Sequence, residues 1–430
     1  MEKPRQRAVP YQARVVDSEI DDLFGDLPAL VFQGAKGVGK TATAERRART
    51  TWRLDLEEQR ELARADPARL IEGERPILLD EWQHLPESWD RVRRAVDDGA
   101  PSGSFLLTGS ALPEGPTHSG AGRIVTLRMR PLSLFERRVA APTVSLAALL
   151  SGSHQRISGR CDCTLRTYVD LILASGFPGL RTVSGRALRA QLDSYLDRIV
   201  DRDFPEQGHP VRRPEILRRW LRAYAAASST TASYEKIRDA ATSDQREKPS
   251  KTGVQPYRDI LERLWILDPV PAWLPTMAHL RRLAAPPKHQ LVDPALAARL
   301  LDQDADTLLK GTPIGVASAR DGTFLGALFE SLVVLSVRAY AQAAEAAVRH
   351  LRTIAGEQEV DIIVEGRGGR VVAIEVKLAS SPAPSDLRSL LWLKEKLGEK
   401  LLDAVVITTG REAYRREDGI AVVPAALLGP

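Results

Sequence analysis

Residues 28–41 read PALVFQGAKGVGKT, an apolar run that ends in glycine and continues with the spacing G-x-x-x-x-G-K-[ST]. That order places a strand before a glycine-rich turn and a helix after it. Glycines let backbone N–H groups wrap a chain of phosphates, and the helix N-terminus adds its positive end. Gly34, Ala35, Lys36, Gly37, Val38, Gly39, Lys40, Thr41 and Ala42 are therefore the expected nucleotide-binding residues. Lys40 is expected to reach the β- and γ-phosphates and Thr41 to ligate Mg²⁺, which makes ATP and Mg²⁺ the expected ligands.

The neighbouring runs extend this reading. PILLDE (76–81) is an apolar strand ending in two carboxylates. Asp80 is expected to hold Mg²⁺, usually through water, and Glu81 to polarise the water that attacks the γ-phosphate. SFLLTGS (104–110) closes on small polar residues and offers Thr108 and Ser110 as sensors of that phosphate. Helical stretches at TATAERRAR and SWDRVRRAVDDG separate these strands, so residues 1–150 are expected to form an α/β ATPase domain. ALPEGPTHSGAG (111–122) reads as a mobile loop, and SGSHQRISGRCDC (151–163) as a flexible domain boundary.

Composition bounds the alternatives. A chain of 430 residues with 43% hydrophobic and 27% charged content is globular and long enough for two or three domains. No run approaches the 18 or so apolar residues of a membrane span, and MEKPRQRAVPYQARVVD lacks the apolar core of a secretion signal. Cys161 and Cys163 are too few for a disulfide framework or a four-thiolate zinc site. A cytoplasmic protein without a membrane partner is expected. Seven histidines are scattered without metal-binding spacing. Net charge is only +5, but residues 205–290 hold 15 Lys/Arg against 9 Asp/Glu, so the basic excess sits in the middle of the chain.

Several ordered motifs carry a resemblance to a known family. ILLDEWQHLPESW, FLLTGSA and GRIVTLRMRPLSLFER are similar to the prokaryotic AAA+-type P-loop ATPases with an uncharacterised C-terminal domain. The matching positions are Asp80-Glu81 with Gln83, Thr108-Gly109-Ser110, Gly122-Arg123, and Pro131-Leu132-Ser133 with Glu136. YLDRIVDRD (195–203) and KHQLVDPALAARLL (288–301) extend the resemblance over nearly the whole chain. Many AAA+ proteins complete their site with an arginine from a neighbouring subunit. Arg123 is the candidate for that catalytic role, in competition with Arg128, Arg130 and Arg202, and self-association is one possible partnership.

Residues 164–310 are expected to be a mostly helical region. Within it, 231–273 looks like a winged helix-turn-helix: a helix at 233–241, a second from Ser250-Lys251-Thr252 through Leu264, and ILDPVPAW as the wing. Lys248, Lys251, Arg258 and Arg263 are the exposed DNA-contact candidates. Packing between domains is the competing use of such a module.

From 311 to 430 a long helix leads into short strands, a second α/β unit. Asp361, Glu375 and Lys377 have the spacing D-x13-E-x-K, which resembles the PD-(D/E)-x-K nucleases, and Glu330 on the preceding helix supplies a further carboxylate. Two carboxylates suit a divalent metal, and a lysine beside them can orient water. Only 12 of the 61 basic residues are lysine, so a lysine at such a place in this arginine-rich chain stands out.

The fold class expected is thus α/β multidomain: an AAA+-like P-loop NTPase, a helical middle with a winged helix, and a restriction-endonuclease-like α/β domain. Two functions follow from it. One is an ATP-binding and ATP-hydrolysing protein that acts on nucleic acid, with cleavage by the C-terminal domain open. The other is a nucleotide-dependent regulatory switch, in a toxin–antitoxin or mobile-element setting, whose C-terminal domain is catalytically inactive and binds a partner.

Overall fold

The computed structural model describes residues 11–110, 120–153, 156–208, 213–242, 251–273, 286–310, 324–353 and 356–430, the side chains of 251–254 excepted. Two compact units divide the chain: Met1–Arg130 with Phe177–Leu188, and Pro131–Gly176 with Arg189–Pro430. Most of the expected mobile loop, residues 111–119, lies outside the described residues.

In the first unit, β1 (Ala29–Gln33), β2 (Thr50–Arg53), β3 (Ile77–Asp80), β4 (Phe105–Gly109) and β5 (Val125–Arg128) form one parallel sheet in the order β2-β3-β4-β1-β5. The three inner strands are buried at every residue, whereas edge strands β2 and β5 each bury one residue of four. Burial on both faces is why ALVFQ, ILLD and FLLTG read as near-continuous apolar runs instead of alternating ones. Val31, Ile77, Leu79 and Leu107 pack with Trp82 and Trp89, whose rings lie 4.6 Å apart. Each large apolar side chain buried in this way contributes about 2 kcal/mol.

In the second unit, β6 (Val144–Ser145) pairs in parallel with β14 (Leu428–Gly429). A seven-stranded sheet uses β7 (Gly159–Arg160), β8 (Ala347–Arg352), β9 (Glu359–Glu365), β10 (Val371–Val376), β11 (Leu401–Thr408), β12 (Glu412–Arg415) and β13 (Ala421–Pro424), in the order β7-β12-β13-β11-β10-β9-β8. Gly159–Arg160, expected in a flexible boundary, instead forms the edge strand of that sheet, and Cys161 and Cys163 beside it are buried free thiols. Residues 144–150, expected in the ATPase domain, belong to this second unit, where the helix Leu146–Ser151 packs on β10 and β11.

The helix Phe324–Ala343 is the one described helix long and apolar enough to cross a membrane, and 13 of its 20 residues are buried against the sheet and its helical neighbours. The helices Tyr234–Ala241 and Lys251–Arg263 are followed by two extended segments. These segments pair antiparallel at Leu267–Leu291 and Val270–Lys288, and Ala272 then pairs with His350 of β8. Trp273 N–H donates to the His350 carbonyl at 2.6 Å and His350 N–H to the Pro271 carbonyl at 3.0 Å, so this pair is stitched onto the sheet edge. Asp293 closes the same region: its carboxylate accepts Ser175 Oγ at 2.9 Å, Gly176 N–H at 2.6 Å and Ala295 N–H at 2.8 Å, the last capping the helix Pro294–Leu300.

Candidate functional site

Gly34 follows β1 where the backbone of residues 128–130 passes close by. A Cβ at Gly34 would stand 2.2 Å from the Met129 carbonyl oxygen, so only glycine fits there. Gly37 and Gly39 take φ of +85° and +98°, which turns the loop into the helix Lys40–Glu45. Lys40 is 4% exposed, and its Nζ donates to the carbonyls of Gly34 at 2.8 Å and Ala35 at 3.0 Å. Burial brings its pKa down to about 8, against the pull of Glu81 and Asp80 in the other direction.

Because β4 lies between β1 and β3, its end meets both the loop and the carboxylates. Asp80 accepts Thr41 Oγ1 at 2.7 Å, and the same Oδ1 accepts the Thr108 hydroxyl. Thr108 Oγ1 in turn accepts the Glu81 N–H at 3.1 Å, so one fully buried hydroxyl ties the two acidic residues together. Burial raises the Asp80 pKa, and the hydroxyls of Thr108 and Thr41 oppose that rise. Glu81 itself sits in the left-handed region at φ 54°, a strain of about 1–3 kcal/mol that a β-strand end does not require. Its carboxylate accepts Ser110 Oγ at 2.8 Å and the side-chain amide of Gln83, which also donates to Ser110 Oγ at 3.1 Å.

Three nearby residues were not legible as part of this site. The buried Arg14 donates to the carbonyls of Val38 at 2.7 Å and Arg130 at 2.6 Å, tying the loop to the residues after β5. Phe177 and Pro178 return from far along the chain and stand against Gly37 and Gly39. Arg123 pairs with Asp97 at 2.8 Å and donates to the Ala121 carbonyl at 3.1 Å. Its competitor Arg202 pairs with Glu206 at 2.8 Å.

The structure gathers the four nuclease-like residues. Register across β9 and β10 pairs Ile362 with Ile374, which sets Asp361 opposite Glu375. Asp361 Oδ2 accepts the Val376 N–H at 2.9 Å, and Lys377 Nζ lies 2.9 Å from Glu375 Oε1. A fifth residue, legible in the sequence only as the start of KHQLVDPALAARLL and not as part of a site, stands among them. Lys288 is 1% exposed, and its Nζ lies 2.9 Å from Glu330 Oε1, 2.9 Å from Asp361 Oδ1 and 3.4 Å from Glu359 Oε1. The signal that marked Lys377, a lysine in an arginine-rich chain, also picks out Lys288.

Burial drives Glu330 up to about 8 and Glu375 well above the carboxylate range, with Asp361 adding to both and the lysines opposing. Burial acts on Asp361 too, but Lys288, Lys377 and the Val376 N–H outweigh it and hold that carboxyl low. Lys288 is disfavoured as a cation by burial, yet Asp361, Glu330 and Glu359 keep it charged. Among the described residues no group of three or more His, Cys, Asp or Glu is arranged to hold a metal ion.

Of the DNA-contact candidates, Lys248 and the side chain of Lys251 lie outside the described residues. Arg258 and Arg263 are half-buried, not exposed. Arg258 pairs with Asp259 at 2.8 Å and lies over the Tyr234 ring at 5.1 Å, because helix neighbours and a facing aromatic offer it partners before solvent does.

Comparison with known proteins agrees with the N-terminal geometry. Residues 26–137 match the family described as an AAA domain. Residues 165–307 and 325–428 match two domains of unknown function, DUF8612 and DUF4143. The chain is 23% identical over 408 residues to the uncharacterized proteins Mb2031c of Mycobacterium bovis and Rv2008c of Mycobacterium tuberculosis, an alignment covering 93% of this chain and 80% of each relative. Among solved structures, a Walker-type ATPase of Pyrococcus abyssi aligns at 14% identity and a TM-score of 0.39, over 70% of this chain and 98% of that one. The chain thus has an α/β fold whose N-terminal residues 26–137 resemble an AAA domain and carry a P-loop NTPase-like site.

Proposed function

We propose that the protein binds ATP with Mg²⁺ at Gly34–Ala42, hydrolyses it with Glu81, and uses the nucleotide state as a regulatory switch. The observation that carries this reading is the shared carboxylate of Asp80, which accepts both Thr41 of the phosphate loop and Thr108 of the intervening strand. A hydroxyl and a carboxylate already turned toward one another are hard oxygen donors that fit Mg²⁺. Thr41 and Asp80 would hold that ion, which neutralises charge on the β- and γ-phosphates when bound.

The chain's own groups account for the rest. Lys40 emerges from its two carbonyls to meet phosphate oxygens, and the loop N–H groups wrap them. Glu81 accepts a proton from the attacking water. Ser110 and Gln83 hold its carboxylate, so a change at the γ-phosphate side of β4 reaches the base through one hydroxyl and one amide. Thr108, bonded to both acidic residues, is the sensor that registers the same change.

The helices 234–241 and 251–263 with the antiparallel pair after them support the winged-helix reading. One strand of that pair is joined to β8, which favours a packing and regulatory use of the module over a free DNA-binding wing. Steady-state ATP turnover tests the proposal. Lys40→Ala is expected to lose nucleotide binding, and Glu81→Gln to keep binding while turnover falls by about 10²–10⁴-fold. Undiminished ATP affinity in Lys40→Ala refutes the site. Turnover in the presence of single-stranded, duplex and branched DNA tests the partner: stimulation by one form restores the nucleic-acid reading, and indifference to all supports the switch.

A further inference from the structure

The spacing of Asp361, Glu375 and Lys377 implies a divalent cation in the C-terminal domain, but the side chains do not fit one. Both carboxylate oxygens of Asp361 are already engaged: Oδ1 accepts Lys288 Nζ at 2.9 Å and Oδ2 accepts the Val376 N–H at 2.9 Å. Glu330, the further acidic candidate, also accepts Lys288 at 2.9 Å. A divalent ion binds carboxylate oxygens at about 2.0–2.6 Å, so on Asp361 Oδ1 it would crowd a like-charged ammonium already within hydrogen-bond distance of that atom. At that oxygen the ammonium and a metal exclude one another.

We infer that the Lys288 ammonium is the resident cation of this cluster, standing in for the divalent ion and closing the nuclease-like centre. It donates to Glu330 from the long helix and Asp361 from β9, and Glu359 of β9 lies 3.4 Å from it as a third carboxyl. One acceptor is left over: Glu375 is 7% exposed, and its buried Oε2 has no hydrogen-bond partner.

The placement of Lys288 gives the substitution a mechanical result. Val270 pairs with Lys288 on one side of the strand pair and Ala272 with His350 of β8 on the other. Lys288 therefore pins the wing-like segment to the sheet and the long helix at once. On this inference the C-terminal domain holds no metal at this cluster and does not cleave there, and the strand pair after the two helices is fastened to it.

This inference rests on the nuclease-like reading of β9 and β10 and is independent of the ATP site. Its test is Mn²⁺ binding, followed by calorimetry and by thermal melting, on nucleotide-free full-length protein. The wild type is expected to take up no Mn²⁺ that depends on Asp361, and its melting temperature to be unmoved by the ion. Lys288→Ala is expected to melt lower, to bind one Mn²⁺ at least tenfold more tightly than the wild type, and to recover stability as Mn²⁺ is added. The gain should vanish in Lys288→Ala/Asp361→Asn.

Wild-type Mn²⁺ uptake lost on Asp361→Asn overturns the inference, as does Mn²⁺-dependent DNA nicking lost with it. A folded Lys288→Ala that neither binds Mn²⁺ nor recovers overturns it too. If Lys288→Ala does not fold, the wild-type titration alone decides. ATP turnover measured on the same preparations reports on the P-loop site separately.

Discussion

Lys40 makes the phosphate loop sensitive to alkaline pH in a way that can be worked out in advance. The residue is 4% exposed, its ammonium donates to two carbonyls, and burial brings its pKa down to about 8. ATP must bind the charged form, because the interaction with phosphate is that of a cation with an anion. The apparent Kd then scales with 1 + 10^(pH − 8). Relative to the intrinsic value it is about 1.1-fold at pH 7 and about 11-fold at pH 9, a loss of roughly 1.4 kcal/mol over that interval.

Calorimetry of ATP binding between pH 7 and 9.5, in two buffers of different ionisation enthalpy, measures both consequences. Kd should rise about tenfold per unit above pH 8, and proton uptake should approach about 0.9 per ATP at pH 9. Glu81→Gln removes the carboxylate that does most to hold the Lys40 pKa up, so the break should move to lower pH. The stability of the free protein has the opposite sign. A lysine whose folded pKa lies below its unfolded value of 10.5 leaves the unfolded state binding more protons, so this group's contribution makes the free protein more stable as pH rises from about 8 to 10.5. A Kd that is flat to pH 9.5 with no proton uptake would refute the reasoning, since Lys40 would then be fully charged in the free protein.

Other substitutions test other links. Thr108→Val removes the hydroxyl that joins Asp80 to the Glu81 N–H and leaves that half-buried donor without its acceptor. Its cost should be about 1–3 kcal/mol by denaturant melting, with turnover reduced more than ATP affinity. Gly34→Ala puts a carbon 2.2 Å from the Met129 carbonyl and should abolish nucleotide binding, seen as loss of ATP-dependent thermal stabilisation. Asp293→Ala leaves the donors of Ser175, Gly176 and Ala295 without their carboxylate and should destabilise the second unit by about 3 kcal/mol, measured by urea unfolding.

The sequence by itself determined the features that depend on neighbours along the chain. PALVFQGAKGVGKT contains the strand, the glycine turn and the helix start in fourteen consecutive residues, so backbone sterics alone prescribe the loop. ILLDE places its carboxylates at the end of a buried strand for the same local reason. Asp361 and Glu375 were also legible, because a short hairpin sets their pairing.

What only the tertiary structure decided are meetings between segments far apart in sequence. Thr108 reaches Asp80 because β4 is inserted between β1 and β3, an order that no hydrophobic period encodes. Gly159–Arg160 joins the far edge of a sheet whose other strands begin at Ala347. Lys288 meets Glu330 and Asp361, 42 and 73 residues away, in a cluster whose members share no local pattern. Local propensity fixes which way a strand's side chains alternate. Which charges then face one another in a low-dielectric interior depends on strand order and packing, and there one buried ammonium is enough to close a centre that its motif alone would leave open to a metal.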